Sequence, residues 1–472
     1  MLMTLSRIVR LPKVISGFLI NLGLRSRVLA LTLPNTPAPI CIVGAGPSGL
    51  AIAHELEAKD YATVLFEKQP TVGGKCQSFY DQPDGTLYHP LGALIFTNQT
   101  WVNTLPIIEA SGLPLSPGPN VTSGFIYGAG FTASLVVPVP PVTDAQKALL
   151  ASEFQRYAAF WTANFAPKYT ALRYTNGVPK EFSVPITQWL QSQGFKALPQ
   201  VMELGMVPFG YGDIKQTPAI YALQYFTPDV LGAFLGVVPS YNVDFHQVMV
   251  HYAASVQGEI HLNAPVIAID RSGETPVITY SQGGSSFNQH CAKVVFAFPP
   301  TLENLRAINM PLTSQEAEVF SKVGITAYWA SAVETKLDFP KPYYQMPLEP
   351  LNTPVAFIRI FNESPITTAW SWGAIGSNPP LELVTDLLVD TISQVQVGLG
   401  LESPIIGQDA VKDIRKWDYF PHFGSADLAA GVYAEYNSLQ GQQNTYFSSG
   451  LNGFELVEFA IRAGKDLVAT FF

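Results

Sequence analysis

From residue 40 onward the chain alternates between short apolar runs and longer amphipathic stretches. Ile40-Cys41-Ile42-Val43 is an unbroken apolar run, the pattern of a strand buried on both faces. Ala51–Lys59 follows with helical spacing, and Ala62–Phe66 is a second apolar run. Together they predict a β-α-β unit of about 30 residues, the size of a parallel crossover. Residues 100–245 change character: a Pro-rich stretch, Val136–Pro141, gives way to a helical pattern from Asp144 to Thr170, and another helix begins near Ile186. That middle predicts an inserted, mainly helical cap. Strand patterns return over 258–300, in Glu259–Leu262, Val266–Ile269 and Val294–Phe298, the last ended by Pro299 and Pro300. Residues 301–410 read as a second, irregular insertion with strand-like pieces at Ala330–Glu334 and Ala356–Phe361. A last strand at Thr445–Gly450 precedes a C-terminal helix from Phe454, and no internal repeat is visible.

Composition narrows the picture. Of the 472 residues 47% are hydrophobic and 13% charged, against about 25% charged in typical soluble domains. An enclosed apolar site is one way to reach that balance; a large core under a Ser/Thr/Asn/Gln-rich surface is another. The net charge of -9, with no basic stripe, excludes nucleic acid as a partner. Cys41, Cys76 and Cys291 are the only cysteines. None forms a CxxC, so neither a disulfide framework nor a zinc site is expected, and the scattered histidines offer no metal cluster.

The first 54 residues hold no acidic residue but carry Arg7, Arg10, Lys13, Arg25 and Arg27 around an apolar stretch, Val14–Leu24. That stretch is too short to span a bilayer, which takes about 20 apolar residues. Three readings stand: a secretory signal, an Arg-rich organellar transit segment, or an amphipathic helix lying on a membrane surface. The triplets at Asn98, Asn120 and Asn362, possible glycosylation acceptors, favour the secretory route.

The chemistry begins where the first strand ends. Gly44-Ala-Gly46-Pro-Ser48-Gly49 joins that strand to the helix. Gly44 permits the tight turn, Gly46 lets a pyrophosphate approach the backbone, and Gly49 lets helix and strand pack closely. The helix N-terminus adds open N–H groups and partial positive charge. Glu67, 18 residues after Gly49, ends the second strand, where a carboxylate accepts hydrogen bonds from ribose hydroxyls. The pattern predicts a dinucleotide.

Gly73-Gly74-Lys75, following Glu67-Lys68 on the same connection, resembles the signature of the flavin-containing amine oxidase superfamily. Ala264–Asp270, the run into Ala297–Pro300 and Tyr446–Gly450 resemble that superfamily's later FAD-domain strands. The resemblance implies an α/β fold: a two-dinucleotide-binding, Rossmann-like FAD domain with an α+β substrate domain and a helical cap. It implies FAD, with Val266 bracketing the adenine and the segment Phe454–Val457 at the flavin edge. No cysteine lies near the C-terminal motif, so the FAD is expected to be non-covalent. The implied division is a targeting or membrane-associated segment at 1–38, FAD domain at 39–105, 246–300 and 411–472, and substrate domain with cap at 106–245 and 301–410. One departure is that Gly450 and Leu451 stand where superfamily members usually carry an acidic residue.

Within the superfamily, amine oxidases commonly place a lysine opposite the flavin on a strand similar to Gly324–Ala330, which has none; Lys322 lies on the preceding turn. Phe209–Gly212 with Pro218–Phe226, Trp417–His422, and Gln440–Tyr446 with Lys465–Phe472 resemble the bacterial FAD-dependent polyunsaturated fatty acid isomerases. Those enzymes move a hydride from an allylic carbon to the flavin and back to another carbon, which shifts a double bond. The resemblance offers Phe209, Tyr211, Trp417 and Tyr419, with Phe420, as the walls of a small apolar substrate's pocket. His422 is either an acid–base group or a structural histidine. The arginine those enzymes use to hold a carboxylate falls near Ser123 here, and residues 77–146 contain no Lys or Arg. A carboxylate would then need Lys168 or Arg173, or the substrate is a neutral terpenoid, polyketide or alkaloid. Oxidation of an amine or secondary metabolite is the alternative reaction.

Overall fold

The computed structural model describes residues 37–118, 124–128, 135–349 and 351–472. Ser123 and the N-terminal segment read as a targeting or membrane sequence lie outside the described residues, as does Asn120. Five parallel strands form the first sheet, in the spatial order Glu259–His261, Thr63–Phe66, Ile40–Val43, Lys293–Phe296, Thr445–Phe447. Ile40–Val43 is buried along its whole length because strands flank it and helices cover the sheet; that is why it reads as a continuous apolar run rather than an alternating one. In chain order the sheet runs third, second, first, fourth, fifth. The order reverses between the first and fourth strands, the switch point where ligands bind at the carboxyl ends of such sheets.

The helix Pro47–Glu57 leaves the first strand, and the C-terminal helix Val457–Phe471 packs along it. Ser48 Oγ and Ser448 Oγ, 400 positions apart, lie 2.7 Å from each other, so the first helix is tied to the end of the last strand. Val266–Asp270 lies in a separate three-stranded antiparallel sheet with Val277–Gln282 and Ser285–His290.

The irregular insertion expected over 301–410 is instead ordered sheet. A seven-stranded sheet is built on the long strand Val323–Glu334, flanked by Ile366–Gly373 and Val411–Phe423, and extends through Leu351–Arg359 and Tyr343–Met346 to Phe125–Gly128 and Val136–Pro138. Its inner strands are buried on both faces; Ile366–Gly373, with Thr367, Thr368 and Ser371 among its residues, is buried throughout. The polar side chains inside this sheet hide the apolar signature of buried strands. Val411–Phe423, expected from sequence to go with the FAD-domain segments, pairs instead with Val323–Glu334 at the edge of this seven-stranded sheet. The helical middle does form, as Asp144–Phe160 with its Thr143–Gln146 capping box, Ile186–Ser192, Leu198–Met206, Ala219–Tyr225 and Pro228–Phe234.

One expectation is overturned. Cys41 and Cys291 form a disulfide, with α-carbons 5.6 Å apart and a sequence separation of 250 positions. Spacing along the chain could not show the pair, because only the parallel pairing of Ile40–Val43 with Lys293–Phe296 brings the two together. Cys76 stays a buried thiol. Among the described residues no helix is long and apolar enough to cross a membrane.

Candidate active site: a dinucleotide cradle opening into an aromatic chamber

At the switch point the chain leaves a cavity of about 790 Å³. Gly44, Gly46, Ser48, Glu67, Lys68, Gly74, Lys75, Val266, Gly450 and Val457 all line it. Gly44 turns with φ +107°, and a side chain there would press on the Ala297 carbonyl of the neighbouring strand. A side chain at Gly49 would run into the Gly44 carbonyl, which keeps helix and turn in contact; Gly49 therefore supports the cradle from behind. Gly73 also sits behind the wall, donating its N–H to the Ala45 carbonyl at 2.9 Å.

Two helix N-termini open on this space. Gly46 has no side chain with which to cap Pro47–Glu57, and Leu456 does not cap Val457–Phe471. First-turn N–H groups are thus left for an anion at one end and for an electron-rich ring edge at the other. Glu67 is buried, accepting from Ala45 N through Oε2 and from Gln69 N through Oε1, both at 2.9 Å. Each carboxylate oxygen keeps a second lone pair for a ribose hydroxyl. Bare glycine backbone, uncapped helix ends and a backbone-fixed carboxylate together fit a dinucleotide, and Lys75 lines the same cavity.

Beyond Lys75 the walls become aromatic. Phe209, Tyr211, Trp417 and Tyr419 line the cavity, joined by Tyr225 and Phe234. Tyr419 and Trp417 share one face of the strand Val411–Phe423, and Trp417 is fixed by its Nε1–H, which donates to the Leu91 carbonyl at 2.6 Å. Tyr211 packs 5.7 Å from Tyr419 and 4.9 Å from Tyr225, centroid to centroid. Burial, then the neighbouring tyrosine and the Glu455 charge, push the Tyr211 hydroxyl well above its ordinary range. Tyr419 is raised likewise, by burial, Tyr328 and Glu455. Both phenols are neutral walls and cannot serve as bases.

Several expected residues stand elsewhere. Phe420 is buried behind Tyr211, with φ +50°, rather than on the wall. Phe454 also lies behind the wall, stacked on Tyr225 at 5.0 Å. His422 is buried against Phe420; its Nδ1–H donates to the Phe420 carbonyl at 2.8 Å, and burial draws its pKa down to about 4. It is a structural, neutral imidazole. Neither Lys168 nor Arg173 lines the cavity. Arg173 is buried and spent on Asp466 at 2.9 Å. Of the cations that do reach the wall, Arg415 is engaged with Asp413, Lys416 with Asn378 and Lys75 with Glu455, whereas the exposed Lys68 has no ion pair among the described residues. Lys322 ends the helix Ser314–Ser321 as its C-cap, is ion-paired with Glu435 at 2.9 Å, and is not part of the cavity wall. Cys76 touches the cavity, but burial pushes its thiol up, so it stays protonated.

Sequence reasoning missed Glu455. It lies two residues before the C-terminal helix, and its Oε1 accepts from Lys75 Nζ at 2.7 Å inside the cavity. The signal was present: no acid at 450 or 451, and one a few residues on, beside the uncapped helix.

Comparison with known proteins agrees with this geometry. Residues 42–105 match the NAD(P)-binding Rossmann-like domain family. The chain is 25% identical to the FAD-dependent oxidoreductase dpasF of Apiospora sacchari, over 92% of this chain and 93% of that one. Its structure resembles the crystal structure of the CLA-producing fatty acid isomerase from P. acnes, with a TM-score of 0.78 at 20% identity over 92% of this chain and 99% of that one. It also resembles putrescine oxidase, with a TM-score of 0.63 at 16% identity over 92% and 98%. The chain has the mixed α/β fold of the flavin-containing amine oxidase superfamily, and the cradle fits FAD.

Proposed function

We propose that this chain is an FAD-dependent enzyme that isomerises a double bond in an apolar, lipid-like substrate by moving a hydride away from one carbon and back to another. The cofactor is FAD, and the chain is an oxidoreductase or isomerase of the amine oxidase superfamily. The observation that carries the isomerase reading is the chamber of Phe209, Tyr211, Tyr225, Phe234, Trp417 and Tyr419, continuous with the FAD cradle. Bound FAD supplies a hydride acceptor that can also act as donor. The protein's own contribution is orientation and dryness. Aromatic walls fixed by packing hold the reacting C–H in one pose, and orientation of that kind is worth several kcal/mol of barrier, on the order of 7–11 at best. Aromatic walls disfavour water at that end of the cavity, where water would capture a carbon made electron-poor by hydride loss. Tyr211 and Tyr419 both line this cavity, and the face of a tyrosine ring favours positive charge. With the phenols neutral and His422 walled off, none of these wall groups takes a proton, as a returned hydride requires.

Net oxidation of an amine or secondary metabolite is the second reading, supported by relatives named FAD-dependent oxidoreductases. Anaerobic stopped-flow absorbance separates the two, using linoleic acid, linoleyl alcohol and simple amines. Conversion of a probe while the flavin ends oxidised, with no acceptor consumed, supports isomerisation. Bleaching that persists until oxygen is admitted rejects it in favour of oxidation.

A further inference from the structure

We infer that the side-chain amide of Asn98 carries an N-linked oligosaccharide, attached while the chain folds in an oxidising secretory compartment. The inference is independent of the reaction proposed above and would survive its failure.

A glycosylation triplet alone carries little, because such triplets arise by chance. What makes this one informative is the Cys41–Cys291 bridge, both of whose cysteines are fully buried. A bridge that deep forms as the chain folds, since no oxidant reaches it once the sheet has closed. Structural bridges form and persist in oxidising compartments, whereas the cytosol keeps thiols reduced. A chain that folds in the secretory route also meets the enzyme that glycosylates Asn-x-Ser/Thr.

The fold then selects among the triplets. Asn98-Gln99-Thr100 forms a bend just after the short strand Ile95–Phe96. Thr97 is buried and lines the cavity, whereas Asn98 and Gln99 are exposed. An exposed loop is the setting this motif requires. Among the described residues no hydrogen bond or ion pair engages the Asn98 amide, so the fold does not need it and a sugar displaces nothing. Thr100 Oγ1 donates to Asp229 at 3.0 Å, but Asp229 lies 129 positions further along the chain. The hydroxyl is therefore open to the transferring enzyme when the triplet first emerges. Asn362-Glu-Ser364 is a poorer acceptor, because Pro365 follows at once and restricts the backbone of Ser364. Asn120 lies outside the described residues.

The test expresses the full 472-residue chain, with its own N-terminus, in a eukaryotic host and maps its peptides by mass before and after peptide-N-glycosidase treatment. The peptide containing Asn98 is expected to be missing at its unmodified mass before treatment and to appear afterwards with Asn98 converted to aspartate. Alkylation of the same unfolded, unreduced sample is expected to label Cys76 alone. Asn98→Gln is expected to lose that glycan while flavin content and Tm stay unchanged. Thr100→Ser, which keeps both the triplet and a hydroxyl for Asp229, is expected to retain it. The wild-type map decides the matter even if neither variant is recovered. An Asn98 peptide found unmodified before treatment overturns the inference, wherever in the cell the chain is found. So does a glycan confined to Asn120 or Asn362, or a glycosylated chain whose Cys41 and Cys291 label without reduction.

Discussion

Gly46 and Gly74 meet backbone to backbone on the floor of the cavity: a Cβ on Gly74 would lie 3.0 Å from the Gly46 α-carbon, and one on Gly46 would lie 3.5 Å from the Gly74 α-carbon. The two turns close on each other because neither carries a side chain. Gly46→Ala makes only ordinary contact with Gly74, so the fold survives, but the new methyl stands where the diphosphate must approach. Gly74 has φ +55°, so Gly74→Ala adds backbone strain to crowding. Gly46→Ala is expected to lose flavin, read as the ratio of flavin to protein absorbance, with little change in apoprotein stability. Gly74→Ala is expected to lose flavin and roughly 1–3 kcal/mol of stability. Equal flavin content in Gly46→Ala and wild type rules out the cradle as drawn.

The aromatic walls make a graded prediction. Tyr419→Phe keeps the ring against Tyr211 and Tyr328 and should retain turnover and binding, since the phenol acts as a neutral surface. Tyr419→Ala removes the ring from beneath Lys75 and admits water; turnover of the best probe should fall by about 100-fold or more. A Tyr419→Phe variant as inactive as Tyr419→Ala would assign the hydroxyl a chemical role and contradict the hydride-only scheme.

The Cys41–Cys291 bridge closes a loop of 250 residues. In the chain-entropy account such a bridge restricts the unfolded state by about 5 kcal/mol, the upper end of what bridges deliver. Cys291→Ser is therefore expected to lower Tm by several degrees in non-reducing buffer, with no further loss on adding dithiothreitol. Alkylation of the unfolded wild-type chain, followed by intact-mass measurement, should label Cys76 alone before reduction and all three cysteines after it. Three labels without reduction would show that the bridge does not form.

His422 links stability to pH. Its imidazole titrates near pH 4 when folded, against about 6.5 in an unfolded chain. Between those values the unfolded chain binds a proton that the folded one refuses. Stability from this group is therefore complete above about pH 6.5 and is lost as pH falls toward 4, by up to roughly 3 kcal/mol. His422→Phe, which keeps a ring against Phe420, should flatten the fall in Tm over that window. The pH profile of turnover should show no limb near 6.5 belonging to this histidine. A limb there that disappears in His422→Phe would restore it as an acid–base group.

What the sequence determined by itself is local. Three glycines at fixed spacing, a strand before them, a helix after them and Glu67 at the next strand end are close along the chain, and the backbone conformations they need are encoded in the residues themselves. The cradle was legible for that reason. The aromatic walls at Phe209, Tyr211, Trp417 and Tyr419 came from family resemblance, since aromatic residues look the same in a core as in a pocket. Only the tertiary structure decided which aromatics face inward: Phe420 adjoins Tyr419 in sequence but lies behind Tyr211. It also decided the Cys41–Cys291 bridge, the place of Val411–Phe423 in the seven-stranded sheet, and the Lys75–Glu455 pair, whose members stand 380 positions apart. Each depends on which strand ends converge at the switch point, and that is set by the packing of the whole chain rather than by any stretch of it.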